Sequence, residues 1–151
     1  MKILHVITSL RTGGAEKLMV DLLSRLRDLG LEVDLCVFDG IRTPFYSALE
    51  AKAINIIPLR VGGSVYDPRN IFTLVSLIKN YDVVHTHNTA CQMYVALANV
   101  FVRKCIVTTE HSTSNRRRKY PVLKWIDAWM YRQYQTIVTV SDIAGQNIKD
   151  Y

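Results

Sequence analysis

Three histidines, a glycine pair and a run of cations are the residues of this chain best equipped for chemistry. His85 and His87 stand two apart in Asp82-Val-Val-His-Thr-His-Asn, and His111 closes Val107-Thr-Thr-Glu-His. If the first two end an extended strand, side-chain alternation puts both rings on one side. An imidazole at a strand end donates to a hydroxyl or accepts from one, and it titrates near working pH. It therefore suits sugar recognition or proton movement. Three imidazoles could also ligate zinc, but no cysteine or carboxylate completes an evident set, and His85 reads equally well as a core histidine with a backbone partner. No metal is expected.

Gly13-Gly14 follows the first apolar run and opens a helix-period segment. Backbone N–H groups at a helix start, with no side chain in the way, form an anion site at the positive end of the helix dipole, and a diphosphate fits it. The same pair would also serve a plain tight turn, since glycine is the usual residue there. The cations are Arg116, Arg117, Arg118 and Lys119, followed by the aromatic-rich stretch Tyr120 to Tyr131. A solvated charged cap is one reading. An interfacial segment drawn to anionic lipid is the other.

These groups need a scaffold, and the pattern supplies one. Short apolar runs alternate with helix-period segments from end to end, the mark of β-α units around a parallel sheet. Six strands are expected, over residues 3–7, 32–38, 54–58, 82–85, 105–109 and 136–140. Helices are expected over about 15–29, 44–53, from Pro68 as a first helical residue, 90–101 and 117–134, with Ser141-Asp142 capping a last one. Gly30 reads as a C-terminal stop. Val122, Leu123, Ile126, Trp129 and Met130 are read as the core stripe of the basic helix.

The fold class is therefore α/β, a Rossmann-like, doubly wound, mostly parallel sheet with helices on both faces. In the common strand order 3-2-1-4-5-6, the loops after strands one, four and five are neighbours and form the ligand crevice.

Composition bounds the rest. With 49% apolar and 21% charged residues the chain reads as globular, and a formal net charge of +6 favours an anionic partner. The odd count of three cysteines, Cys36, Cys91 and Cys105, all in apolar runs, suggests buried reduced thiols and a cytoplasmic setting. The apolar stretch 3–7 is too short for a signal or a membrane span.

Order and spacing together carry a resemblance. Ile3-Leu-His-Val-Ile-Thr-Ser-Leu-Arg-Thr-Gly-Gly-Ala-Glu-Lys, then Asp82-Val-Val-His-Thr-His-Asn, Val107-Thr-Thr-Glu-His-Ser and Ile137-Val-Thr-Val-Ser-Asp resemble the N-terminal domain of family 4 retaining glycosyltransferases of GT-B fold. The resemblance implies that residues 1–151 form the acceptor-side domain, with the donor-binding domain and its Glu-x7-Glu carboxylates absent from this chain. Transfer by these residues alone is expected to be negligible. It implies transfer of a sugar from a nucleoside diphosphate, as co-substrate, to an acceptor hydroxyl, with no further cofactor. A lipid-linked acceptor of surface polysaccharide synthesis, at the inner face of the cell membrane, fits the charge. By position Gly13 and Gly14 would meet the donor diphosphate, and His111 would lie at the reacting centre. His87 would stand on the acceptor side, with Glu16, Asn88 and Ser112 lining the cleft.

Two alternatives are distinct in kind. Asp39 ends strand two where a dinucleotide-binding oxidoreductase keeps its ribose-binding acid, but the first turn lacks the G-x-G-x-x-G that such a domain needs. A non-catalytic module binding anionic membrane or nucleic acid would explain the charge but not the polar strand-end loops. Nucleic acid is not expected as a partner.

Overall fold

A computed structural model describes residues 1–111 and 120–149. Strands and helices alternate: β1 (Lys2–Ile7), α1 (Gly14–Asp28), β2 (Glu32–Val37), α2 (Pro44–Ala51), β3 (Asn55–Pro58), α3 (Asn70–Ile78), β4 (Val83–Thr86), α4 (Thr89–Val102), β5 (Cys105–Glu110), α5 (Pro121–Arg132), β6 (Thr136–Thr139) and α6 (Asp142–Lys149). All pairings are parallel, in the order β3-β2-β1-β4-β5-β6. The fold class expected from the alternation is the one observed. No described helix is long and apolar enough to cross a membrane.

The sheet is covered on both faces, which is why its central strand reads as a continuous apolar run. Residues Ile3 to Ile7 are all buried. Leu4 and Val6 pack with Cys36, Val84 and Ile106 against α3, α4 and α5, while Ile3 and Ile7 pack with Met19, Leu23 and Leu49 on the α1 and α2 side. Each such side chain contributes roughly 1.5–3 kcal/mol by leaving water. His5 lies within this run at 1% exposure. Its place in the alternation puts it on the α1 side.

Local chemistry sets the helix ends. Gly30 takes a positive φ of 81°, and Leu31 N–H and Gly30 N–H donate to the carbonyls of Leu26 and Arg27, a Schellman stop for α1. Thr43 Oγ1 accepts from Tyr46 N–H ahead of Pro44, which fixes the start of α2. Pro68 is not the first residue of α3. It belongs to a leading turn, in which Asp67 accepts from Arg69 N–H at 2.9 Å, and the helix begins at Asn70.

Two further expectations are corrected. Cys36 and Cys91 are buried, but Cys105, the first residue of β5, is exposed. In α5 the core stripe consists of Asp127, Met130 and Tyr131. Val122, Trp125, Ile126 and Trp129 form a second stripe at helical spacing and face solvent, with Trp125 80% exposed.

Candidate functional site

The strand order brings the ends of β1, β4 and β5 side by side, and the loops that leave them carry the histidines and the glycine pair. β1 and β4 pair so that His5 stands opposite His85, and in the next pairing His85 stands opposite Val107. His85 and His87 do share one side, with ring centroids 4.3 Å apart. His5 completes the group at 5.0 Å from His85 and 5.3 Å from His87. His111 follows at 5.9 Å from His87. The result is a four-imidazole array running from the sheet interior to the half-buried His111.

Specific bonds orient these rings. His5 Nδ1 and His87 Nε2 lie 3.0 Å apart, so one of them carries the shared hydrogen. His85 Nε2 bonds Thr109 Oγ1 at 2.8 Å. Among the described residues the outer nitrogens, His5 Nε2 and His87 Nδ1, have no partner, and neither has His111 Nε2.

Burial keeps these rings neutral. It drives His5 down to about 3, with His85 adding repulsion, and His85 down to about 4, with His111 adding to it. His87 falls well below the ordinary imidazole value through burial and then through His85, His5 and His111. For His111 burial lowers the value, and the nearby carboxylates of Glu110 and Glu16 oppose it. At neutral pH each ring can therefore offer both a donor and an acceptor nitrogen.

The glycine loop lies at the head of α1. Gly13 is its N-cap, with no side-chain capping bond, and Gly14 is its first residue. A Cβ on Gly14 would meet nothing within 4 Å, so its backbone borders open space. At Gly13 the Glu16 carboxylate already fills the place of a Cβ. Glu16 thus sits where an anion at the helix start would approach, while its charge also reaches His111. Asn88 precedes α4, but its Oδ1 accepts from the N–H and the hydroxyl of Thr8 at 3.2 and 3.3 Å, tying the β4 exit to the β1 exit.

Gly13, Gly14, Glu16, His87, Asn88 and His111 therefore gather around the three strand ends. Ser112, Arg116, Arg117, Arg118 and Lys119 lie outside the described residues. His5 went unnoticed in the sequence because an apolar strand surrounds it. The signal was its position in the first strand, which the strand order lays beside the histidine-bearing fourth. Glu110 was also missed. It is buried on the opposite face, where Tyr131 O–H donates to it at 2.8 Å, with Gln92 Nε2 at 3.4 Å. Asp39 is buried and is committed to Ile41 N–H at 3.1 Å and to Arg11 at 3.7 Å.

Comparison with known proteins gives a family and a fold. The profile of Glycosyltransferase Family 4 matches residues 12–151. No curated protein sequence matches the chain. Among solved structures, HepE from Anabaena, solved with UDP and glucose, superposes with a TM-score of 0.80 at 17% identity, over 99% of this chain and 41% of its own. A glycosyltransferase from Rickettsia africae gives 0.71 at 22% identity, over 97% of this chain and 38% of its own. The UDP-GlcNAc 2-epimerase from Neisseria meningitidis, bound to UDP-GlcNAc, gives 0.71 at 16% identity, over 99% and 43%. Identities this low show the fold alone. The chain spans about two fifths of the length of these structures.

Proposed function

Because the chain belongs to glycosyltransferase family 4 and its sheet is the N-terminal half of a GT-B fold, we propose that it is the acceptor-side half of a retaining sugar transferase. The donor is a nucleoside-diphosphate sugar and the acceptor a hydroxyl. A second domain, outside these residues, holds the nucleotide. The observation that carries the reading is the convergence of the open Gly14 backbone at the start of α1 with the histidine array at the ends of β4 and β5.

The transition state of such a transfer is oxocarbenium-like, and negative charge grows on the departing diphosphate. The amides of Gly13 and Gly14, with the α1 dipole behind them, stabilise that charge. Glu16 must leave Gly13 when the diphosphate arrives, and its carboxylate then faces the cleft as an acceptor for a substrate hydroxyl. His111, neutral and half-buried, contacts the reacting sugar. His87 and Asn88 line the acceptor side, and Ser112, next in sequence to His111, is assigned to it with them. No metal or cofactor enters this scheme.

The solvent-facing stripe of α5 supports an acceptor carried in a membrane, as in lipid-linked polysaccharide synthesis. Trp125 and Trp129 line a groove of about 500 Å³ with Lys124 and Arg132 at its sides. Exposed aromatics flanked by cations suit the headgroup boundary of an anionic bilayer, and Arg116 to Lys119 precede them in the chain. The protein would then work at the cytoplasmic face.

Backbone amide resonances of the ¹⁵N-labelled chain, titrated with UDP and with NADH, test the donor contact. The Gly13 and Gly14 amides should move with UDP and stay with NADH. The reverse pattern would favour a dinucleotide-binding domain.

A further inference from the structure

We propose that His5, His85 and His87 form a binding site for a transition-metal cation of the Zn(II) and Co(II) class, with His85 as its least buried ligand. One ring nitrogen from each residue can be chosen so that all three lie within 4.8 Å of one another. Ligand nitrogens around a tetrahedral ion, at Zn–N distances of about 2.0–2.1 Å, stand about 3.3 Å apart. His5 Nδ1 and His87 Nε2 are already 3.0 Å apart. With an outer limit of 4.8 Å, the third nitrogen has to draw in by no more than about 1.5 Å to reach that spacing.

Three features go beyond proximity. His5 and His87 are each 1% exposed, so an ion held between them is shielded from bulk water. Thr109 Oγ1 holds His85 Nε2 at 2.8 Å, the kind of outer contact that orients a ligating imidazole and leaves its other nitrogen for the ion. His5 and His85 stand in register on adjacent strands, and His87 directly follows β4 with its N–H on the Val6 carbonyl, so their spacing is set by the sheet. Three imidazoles suit a borderline ion better than calcium or magnesium, which take oxygen. A water completes the fourth position. The site shares His87 with the proposed acceptor side, but its occupancy is read with the metal alone and needs no sugar. Filling it would immobilise His87.

The test is titration of the purified, tag-free chain with Co(II). One equivalent should produce the visible absorption of a low-symmetry Co(II)–imidazole centre, Zn(II) should abolish it by displacement, and either ion should raise the thermal midpoint. His5→Gln and His87→Gln should remove the absorption, and Thr109→Val should weaken binding by roughly tenfold. If His5→Gln fails to melt cooperatively, His87→Gln, outside the β1 strand at the exit of β4, decides. A folded wild-type chain that gives no visible band in excess Co(II) overturns the proposal, as does a band undiminished in folded His87→Gln.

Discussion

His5 Nδ1 and His87 Nε2 lie 3.0 Å apart inside a parallel sheet, although 82 positions separate them in the chain. Their contact joins the apolar centre of β1 to the exit of β4, and through His87 to His111. A buried pair of neutral imidazoles makes the fold sensitive to acid.

That sensitivity has a defined sign. His5 and His85 are held at about 3 and about 4 in the folded chain, against 6.5 when exposed, so below pH 6.5 the unfolded chain takes up protons that the folded one refuses. Stability is full above pH 6.5 and is lost as pH falls toward 4, by up to about 1.4 kcal/mol per pH unit for each such histidine. Urea midpoints at pH 7.0 and 5.5 should differ accordingly, and His85→Gln should flatten the slope. Equal midpoints at the two pH values would remove the claim that these rings are buried neutral.

Gly14→Ala separates folding from binding. A Cβ there meets nothing, and alanine is favoured over glycine in a helix by up to about 1 kcal/mol, so the variant should melt no lower than wild type. In the intact enzyme the added methyl stands on the diphosphate approach and should raise KM for the sugar nucleotide. Unchanged donor kinetics would mean that the diphosphate sits elsewhere.

Glu16→Gln removes a charge from the path of the donor. The helix loses a first-turn acid worth about 0.3–1 kcal/mol. Donor binding should tighten, because the diphosphate no longer displaces a carboxylate from Gly13, while KM for the acceptor should rise. Paired donor and acceptor titrations read both effects. A weaker donor response would show that Glu16 helps hold the diphosphate.

Trp125→Ala and Val122→Ser act on the exposed stripe of α5, at 80% and 71% exposure, so thermal stability should be unchanged within about 0.5 kcal/mol. Cosedimentation with vesicles containing phosphatidylglycerol should fall several-fold, and more steeply when salt is added. Binding that persists in the double variant would assign any membrane contact to another surface.

Much of this was legible in the residues, and what was not has physical causes. Gly30 and Thr43-Pro44 announce their helix ends because the turn and cap chemistry is local. Strand order followed from the β-α alternation together with the usual doubly wound topology, and with it came the meeting of the three polar loops. His5 escaped because nothing near it in sequence is polar; only pairing with β4 gives it neighbours. The α5 reading held for Met130 and failed for Val122, Ile126 and Trp129, for a different reason. Two apolar stripes share that helix, and periodicity cannot say which one meets the sheet, least of all when the buried stripe contains Asp127. The displacement of Pro68 from the start of α3 reflects the Asp67 side chain, which takes the first amide of the turn before the helix begins.

Sugar transfer with His111 at the reacting centre is the claim on which the rest depends. Its most direct test is the intact enzyme supplied with nucleoside-diphosphate sugars and candidate acceptors, with the anomeric configuration of the product read by proton NMR, for wild type and His111→Ala. The expected product is a glycoside with the configuration of the donor, with kcat lowered by about 10²-fold or more in the variant while the thermal midpoint holds. Product of inverted configuration, or a folded His111→Ala enzyme that turns over as fast as wild type, would contradict it.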